Sequence, residues 1–467
     1  MKLGFNNLGP IYQGEIELAN LTILCGENNT GKTYITNSLY SFLYNWENII
    51  AWDMPKQTLA DLEADGVAKI ELEQAIVQQW SDICLETMSV LKNKLHDFLA
   101  TSSERFEKTI FTLSTPIETG WITSDFDREF KSSKGKPLIS IKKPAGQTVA
   151  EIAFIQEQGD ETPPIFVLEN FIQSQLLEIV LSNTFPSVFI ASAERTGASI
   201  FKNELNFSKN RLVGILAEIE KDNKKFDPFT LFREFKRNYA ISVEHNVEFI
   251  SDSPNLEQRG RSEFIKKNND ILIKFQEIAG GVYKTTKEGG IYFYPTGAKG
   301  VRLALGEASS AVRSMMILWY WLNYEAKTNS ILMIDEPELN LHPKNLRRFA
   351  RFIAALVNAG IKVFLTTHSD YIIREFNSLI MLSSDKPHIK KVKEKFGYQQ
   401  NELLNARQVA VYNTTTALFE VEGLKTKKRL GTLERWKIEE HHGIKIKSFD
   451  DEIREMNKIQ DALLYGV

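Results

Sequence analysis

The segment Gly26 to Thr33 reads GENNTGKT, fills every fixed position of the phosphate-binding pattern GxxxxGK[ST], and directly follows the apolar run Leu21 to Cys25. The pattern has a physical meaning only as a turn between a buried strand and a helix, so it fixes the local fold before anything else is known. Glycines at 26 and 31 let the backbone N–H groups of Glu27, Asn28, Asn29 and Thr30 turn toward a phosphate chain. Lys32 supplies a cation for the β and γ phosphates, and Thr33 offers a hydroxyl to Mg2+. Tyr34 to Tyr40 continue as a predicted helix whose N-terminus adds the positive end of its dipole. The expectation is an α/β P-loop chain that binds a nucleoside triphosphate.

A second segment belongs with the first. Ser330-Ile331-Leu332-Met333-Ile334-Asp335-Glu336-Pro337 is a continuous apolar run ending in two carboxylates, as a strand buried on both faces of a parallel sheet reads. At the carboxyl end of such a strand Asp335 can reach a metal held beside Thr33, and Glu336 is placed to polarise an attacking water. Glu338-Leu339-Asn340-Leu341-His342-Pro343 follows at once, then a predicted helix from Lys344 through Ala355, then the apolar strand Lys362 to Thr367 ending in His368-Ser369.

This order, DEPExxLHP and then a strand ending in TTHS, resembles the ATP-binding-cassette heads of SMC, RecF and OLD type. The resemblance implies ATP as ligand, Mg2+ as cofactor, His368 as a switch histidine on the γ-phosphate, and Asn340 to His342 as a loop touching an opposite subunit. It also implies a signature element that closes the site in trans, from a head-to-tail dimer or a higher ring. The segment Leu303 to Ser314, LALGEASSAVRS, matches that requirement with Ser309 and Ser310 before a predicted apolar-faced helix. It departs from the LSGGQ form and is more similar to the SSG-type signature of OLD-like ATPases, with Ala311 where glycine is usual. Arg195, after the predicted strand Ser187 to Ala191, stands where such ATPases carry a motif near the nucleotide; contact with phosphate, coupling of lobes and a surface salt bridge all remain open for it.

The fold class expected is therefore α/β, a P-loop NTPase of ABC-ATPase head type with helical and β insertions. Residues 1–50 form the N-terminal lobe with the phosphate loop, and 281–385 the C-terminal lobe with signature, acidic strand and switch histidine. Between them, 51–280 read as inserted helical arms and a β segment, with a head strand returning near 187–197. Apolar residues at near-helical spacing, from Leu72 and Ile76 to Leu95 and Leu99, suggest a helical hairpin or arm over 58–112. Further helix is expected at Arg211 to Lys221 and Glu263 to Ile278, and edge strands at Pro137 to Lys142 and Val149 to Phe154. Residues 386–467 read as a C-terminal α/β segment, a candidate partner contact, with strands at Val409 to Tyr412 and Ala417 to Val421.

Composition narrows the function classes. The chain has 467 residues, 43% hydrophobic and 25% charged, enough for a large core. Its 57 basic and 60 acidic residues leave a net charge of -3, so no global field favours nucleic acid. Cys25 and Cys84 lack metal spacing, no apolar run spans a bilayer, and the start lacks a secretory core, so a cytoplasmic protein without membrane contact is expected. Glu420-Val421-Glu422-Gly423 superficially resembles the start of a TOPRIM nuclease domain, but no apolar strand with an Asp-x-Asp pair follows it. His441-His442 likewise lacks further ligands, and the basic run Lys425 to Arg429 reads as a solvated face.

Over most of its length the chain is similar to the AAA_15-type ATPases of bacterial anti-phage operons, with the Septu and retron-associated ATPases as close alternatives. That resemblance implies a sensor or scaffold, responsive to a phage-derived trigger, that controls a separately encoded effector nuclease such as a TOPRIM-type protein. A DNA-repair or recombination ATPase of RecF type, binding nucleic acid directly, stays open beside it.

Overall fold

A computed structural model describes residues 1–131, 137–155, 165–201, 239–286, 289–421, 423, 426–445 and 448–465. In chain order the strands are β1 (Lys2–Leu8), β2 (Ile11–Glu17), β3 (Leu21–Cys25), β4 (Val67–Glu71), β5 (Ile110–Ser114), β6 (Phe126–Lys131), β7 (Pro137–Lys143), β8 (Val149–Phe154), β9 (Val188–Ala191), β10 (Gly281–Thr285), β11 (Ile291–Pro295), β12 (Leu303–Ala304), β13 (Ile331–Ile334), β14 (Lys362–Thr367), β15 (Val409–Phe419), β16 (Lys428–Trp436), β17 (Ile438–Glu439) and β18 (Gly443–Ile444). They are divided between two compact units. One comprises Met1–Asn7, Ser41–His96 and Ser102–Ser187; the other comprises Leu8–Tyr40, Asp97–Thr101 and Val188–Val467.

The second unit carries the motifs. Its strands lie in the order β2-β16-β15-β3-β14-β13-β9. From β15 to β9 every neighbouring pair is parallel, while β16 runs antiparallel to β15. All five residues of β3 and all four of β13 are buried, which is why these segments read as unbroken apolar runs. The helix Pro343–Asn358 buries Leu346, Phe349, Ala350, Ile353 and Val357 and turns Lys344, Arg347 and Arg348 outward. It packs against the helices Asn269–Ala279 and Asp370–Met381, adding Ile271, Phe275, Ile372 and Phe376 to one core. Each large aliphatic or aromatic side chain removed from water there contributes roughly 1.5–3 kcal/mol before entropy is set against it.

The other unit holds the antiparallel pair β1 and β5 and a four-stranded antiparallel sheet, β4-β8-β7-β6. Phe42, Trp46 and Trp80 surround Phe185 with ring centroids 5.3, 5.6 and 6.1 Å away. Lys143 is buried and donates to the carbonyls of Ile122, Ser124, Pro144 and Gln147, so its charge is held by backbone dipoles.

Several elements differ from the sequence expectation. The stretch 58–112 holds the helices Lys56–Asp65 and Trp80–Phe98, but β4 stands between them: Ala68 and Ile70 are buried while Val67 and Lys69 are exposed, a two-residue period masked by the helical one beside it. Neither β7 nor β8 is an edge strand, since each is paired on both sides. Glu263 to Ile278 is two helices, Glu263–Lys267 and Asn269–Ala279, broken at Asn268 with φ -126 and ψ 51. Val409 to Phe419 is one strand rather than parts of two. The helix expected over Arg211 to Lys221 lies outside the described residues. No helix among the described residues is long and apolar enough to cross a membrane.

Candidate functional site

Because β3, β14, β13 and β9 are parallel neighbours, their carboxyl ends bring four segments to one edge: the loop after Cys25, Thr367-His368, Asp335-Glu336, and Ser192. In the loop, Gly26 has φ +143 and Gly31 φ +100, where side chains are rarely tolerated. A Cβ at Gly26 would lie 1.8 Å from Thr414 Oγ1, and one at Gly31 would lie 2.9 Å from Pro10 Cγ, so both positions require bare backbone. Asn29 takes the left-handed region at φ 63, and Glu27, Asn28 and Asn29 are exposed along the loop crest. Lys32 is buried across the loop, its Nζ donating to the carbonyls of Gly26 at 2.9 Å and Glu27 at 2.7 Å. Thr30 Oγ1 donates to Glu27 O at 2.7 Å, and Thr33 stands exposed in the first turn of the helix Lys32–Ile49.

At the end of β13 the Asp335 carboxylate is buried and accepts from the Thr366 hydroxyl. Burial pushes its pKa up to about 6, with Glu336 and Glu194 adding to the rise, while the Thr366 bond and Arg195 oppose it. Glu336 follows with φ 47, an uncommon conformation for a residue with a side chain that costs roughly 1–2 kcal/mol. Two contacts hold it there. Its N–H donates to Thr366 Oγ1 at 3.0 Å, and its carbonyl accepts from Arg195 Nη2 at 3.0 Å.

Arg195 is 1% exposed, so the surface salt bridge left open by the sequence is excluded. Its Nη1 donates to Asp335 O at 2.7 Å and to Ser192 O at 2.9 Å, which clamps the ends of β9 and β13 together through main-chain acceptors. Burial lowers its pKa to about 10, offset by the carboxylates of Asp335, Glu338, Glu336 and Glu194. The end of β9 is fixed a second time by buried Asn246, which accepts from Ser192 N–H at 3.0 Å and donates to Ile190 O at 2.6 Å.

His368 lies at the end of β14, its Nδ1 3.2 Å from Glu338 Oε1 and 3.7 Å from Glu336 Oε1. Phosphate loop, acidic pair and histidine are thus gathered within one chain. Ser309 and Ser310 sit elsewhere in the same unit, at the start of the helix Ser310–Tyr320, where the Ser309 hydroxyl caps Val312 N–H at 3.3 Å. Among the described residues no hydrogen bond joins them to residues 26–33. Asn340 takes φ 67 in an exposed turn, and exposed His342 is the N-cap of Pro343–Asn358, its Nδ1 accepting from Lys344 N–H at 3.2 Å. Proline at the first helical position completes that start.

A model of the AAA ATPase domain, AAA_15, matches residues 1–373, taking in the loop, the acidic strand and His368. The chain belongs to this family. As an AAA_15 ATPase it has the α/β P-loop fold that the strand order displays, and its match ends before β15 and β16. No curated protein matches it. Solved structures similar to it include an SMC head bound to the C-winged helix domain of ScpA, at 11% identity over 94% of this chain and 97% of that one, with a TM-score of 0.33. The SMC head domain from Thermotoga maritima is 10% identical over 94% and 98% of the two chains, at 0.31. An Smc head with an extended coiled coil, bound to the C-terminal domain of ScpA derived from Pyrococcus furiosus, is 11% identical over 98% of each, also at 0.31. At such TM-scores these likenesses add nothing to the family assignment.

The site of this AAA_15 ATPase fits Mg2+ and a triphosphate. Its loop glycines hold the backbone at positive φ between Cys25 and the helix, and Lys32 is at hand. Among the described residues no group of three or more His, Cys, Asp or Glu side chains has metal-holding geometry. A donor set of one hydroxyl and one carboxylate, Thr33 and Asp335, suits an ion that keeps waters and shares phosphate oxygens. Three contributors carry no assignment at the sequence level. Thr366 and Glu338 lie inside the quoted motifs, whereas Thr414, hydrogen-bonded to Thr30 Oγ1 at 2.5 Å and to Cys25 O at 3.3 Å, has no motif to mark it.

Proposed function

We propose that this AAA_15 chain hydrolyses ATP at sites shared between subunits and uses the cycle to hold or release a separately encoded effector. The observation that carries the hydrolytic reading is the convergence of Lys32, the Asp335-Glu336 pair and His368 at the carboxyl ends of neighbouring parallel strands. In this reading residues 26–33 bind the phosphates through backbone N–H groups and Lys32, while Thr33 and Asp335 hold Mg2+. Bound Mg2+ neutralises charge on the phosphate oxygens. Glu336 accepts the proton of the attacking water, and His368 contacts the γ-phosphate. Ser309 and Ser310, not joined to the loop in their own chain, face the γ-phosphate of a second copy, with Asn340 and His342 near that junction.

The sensor step is supported by resemblance alone: length and motif order are similar to AriA, the ATPase subunit of the PARIS anti-phage system, with a TOPRIM-type nuclease as the class of effector. Lys32→Ala should weaken ATP binding, whereas Glu336→Gln should retain it and lose hydrolysis by orders of magnitude; equal loss of binding in both refutes the assignment. Ser310→Arg mixed with Lys32→Ala should form composite sites with one intact half from each chain. Undiminished hydrolysis by a strictly monomeric Ser310→Arg protein refutes the shared site. Coexpression with the neighbouring operon gene tests the sensor step, since protection from phage should need both genes and an intact Lys32.

A further inference from the structure

The side chain of Glu338 is only 7% exposed and lies at the end of β14 rather than out in solvent. One oxygen, Oε1, accepts from the Thr367 hydroxyl at 2.8 Å and from the His368 backbone N–H at 2.6 Å, and stands 3.2 Å from His368 Nδ1. The other, Oε2, is buried with no hydrogen-bond partner. The carboxylate also adds to the rise of the buried Cys25 thiol pKa, behind burial itself, which places its charge close to the phosphate-loop strand. Keeping a carboxylate so poorly solvated is costly, and a strand end could be closed by a neutral side chain at less cost. The hydroxyl and the amide that donate to Oε1 both belong to the end of β14, and the His368 ring nitrogen Nδ1 stands beside the same oxygen.

We propose that Glu338 is the positioning residue of His368: its Oε1 holds the proton on Nδ1, so that Nε2 is the ring atom presented to the nucleotide. A neutral imidazole has one N–H and one lone pair, and the hydrogen bond made at one nitrogen decides the role of the other. Glu336, whose Oε1 is 3.7 Å from the same Nδ1, is thereby left for water, because the histidine donor is already committed to Glu338. The division of labour between the two carboxylates follows from burial. Glu338 is enclosed and bonded, and Glu336 is partly exposed. This inference rests on the proposed role of His368 at the γ-phosphate.

The test has two arms. In the first, the full chain labelled with 15N-histidine is examined by NMR without nucleotide, with the His368 signals assigned by their loss in His368→Asn. The proton is expected on Nδ1 in the wild-type protein and no longer fixed there in Glu338→Ala. A wild-type His368 protonated on Nε2 alone overturns the proposal, and that spectrum decides even if Glu338→Ala fails to fold. In the second, Glu338→Ala and His368→Ala should each lower kcat roughly 10- to 100-fold, as loss of a histidine-orienting partner commonly does, with KM for ATP little changed. Combined, they should be no worse than the poorer single variant, because one acts through the other. Losses that multiply overturn the positioning role. A Glu336→Gln control separates the two readings: if it hydrolyses ATP normally, the site assignment fails, while the tautomer result stands on its own.

Discussion

Asp335 gives the sharpest quantitative test. Its carboxyl is buried and its pKa is raised from 3.8 to about 6, so ionising it in the folded chain costs roughly 3 kcal/mol relative to the unfolded one. For an acid with a raised folded pKa, the folded state binds more protons between the two values. Stability from this group is therefore greatest below 3.8, falls as pH rises toward about 6, and stays at its minimum above that. The substitution Asp335→Asn removes the ionisation and keeps an oxygen able to accept from the Thr366 hydroxyl. In urea unfolding without nucleotide and with EDTA at about pH 8, the variant should be more stable than wild type by about 1–3 kcal/mol, the lower figure allowing for the unpartnered amide N–H2. The gap should begin to narrow as pH falls below about 6 and should be closed near 3.8. In Mg2+ the order reverses in activity, because an amide in place of the carboxylate brings no charge to the ion and hydrolysis should collapse. A variant that is no more stable than wild type at about pH 8, with an unchanged pH profile, refutes the idea that this carboxylate is held at a cost in stability.

Three further outcomes follow from the same geometry. Arg195→Lys cannot reproduce the guanidinium fork, so carbonyls of Ser192, Asp335 and Glu336 lose donors; a loss of roughly 2–4 kcal/mol by denaturant midpoint is expected, and an unchanged midpoint contradicts the clamp. Gly26→Ala drives a Cβ into Thr414 Oγ1 and should abolish ATP binding by calorimetry; wild-type affinity would show that the loop tolerates the strain. Thr414→Val deletes the bond to Thr30 and should weaken ATP binding by several-fold, about 1 kcal/mol, with near-wild-type folding; no change in Kd would make the contact incidental.

The parts of this site that are legible in the sequence are those whose chemistry is written in consecutive residues. Gly26 to Thr33 and Asp335-Glu336 stand out because a phosphate cradle and a buried strand leave little choice of residue type. Arg195 is visible as a charged residue after a strand, yet its clamp on carbonyls is not, since main-chain acceptors carry no sequence signature. Thr414 is illegible for a similar reason: a lone threonine in a β-branched strand is what any strand contains, and only the pairing of β15 with β3 brings it to Gly26. The strand β4 is hidden because its short alternation abuts longer helical periodicity, and the periods compete over so few residues.

The pairing of β3 also governs when the protein can mature. Its partners on either side are β14 and β15, so Leu21 to Cys25 find neither until Lys362–Thr367 and then Val409–Asn413 have been made. At ordinary elongation rates of about 5–20 residues per second, the separation between β3 and β15 makes Leu21–Cys25 wait roughly 20–80 s for the second neighbour. During that interval an apolar segment with both edges unsatisfied is offered to any competing strand. A ribosome-stalled chain ending before β15 is expected to need a chaperone to stay in solution.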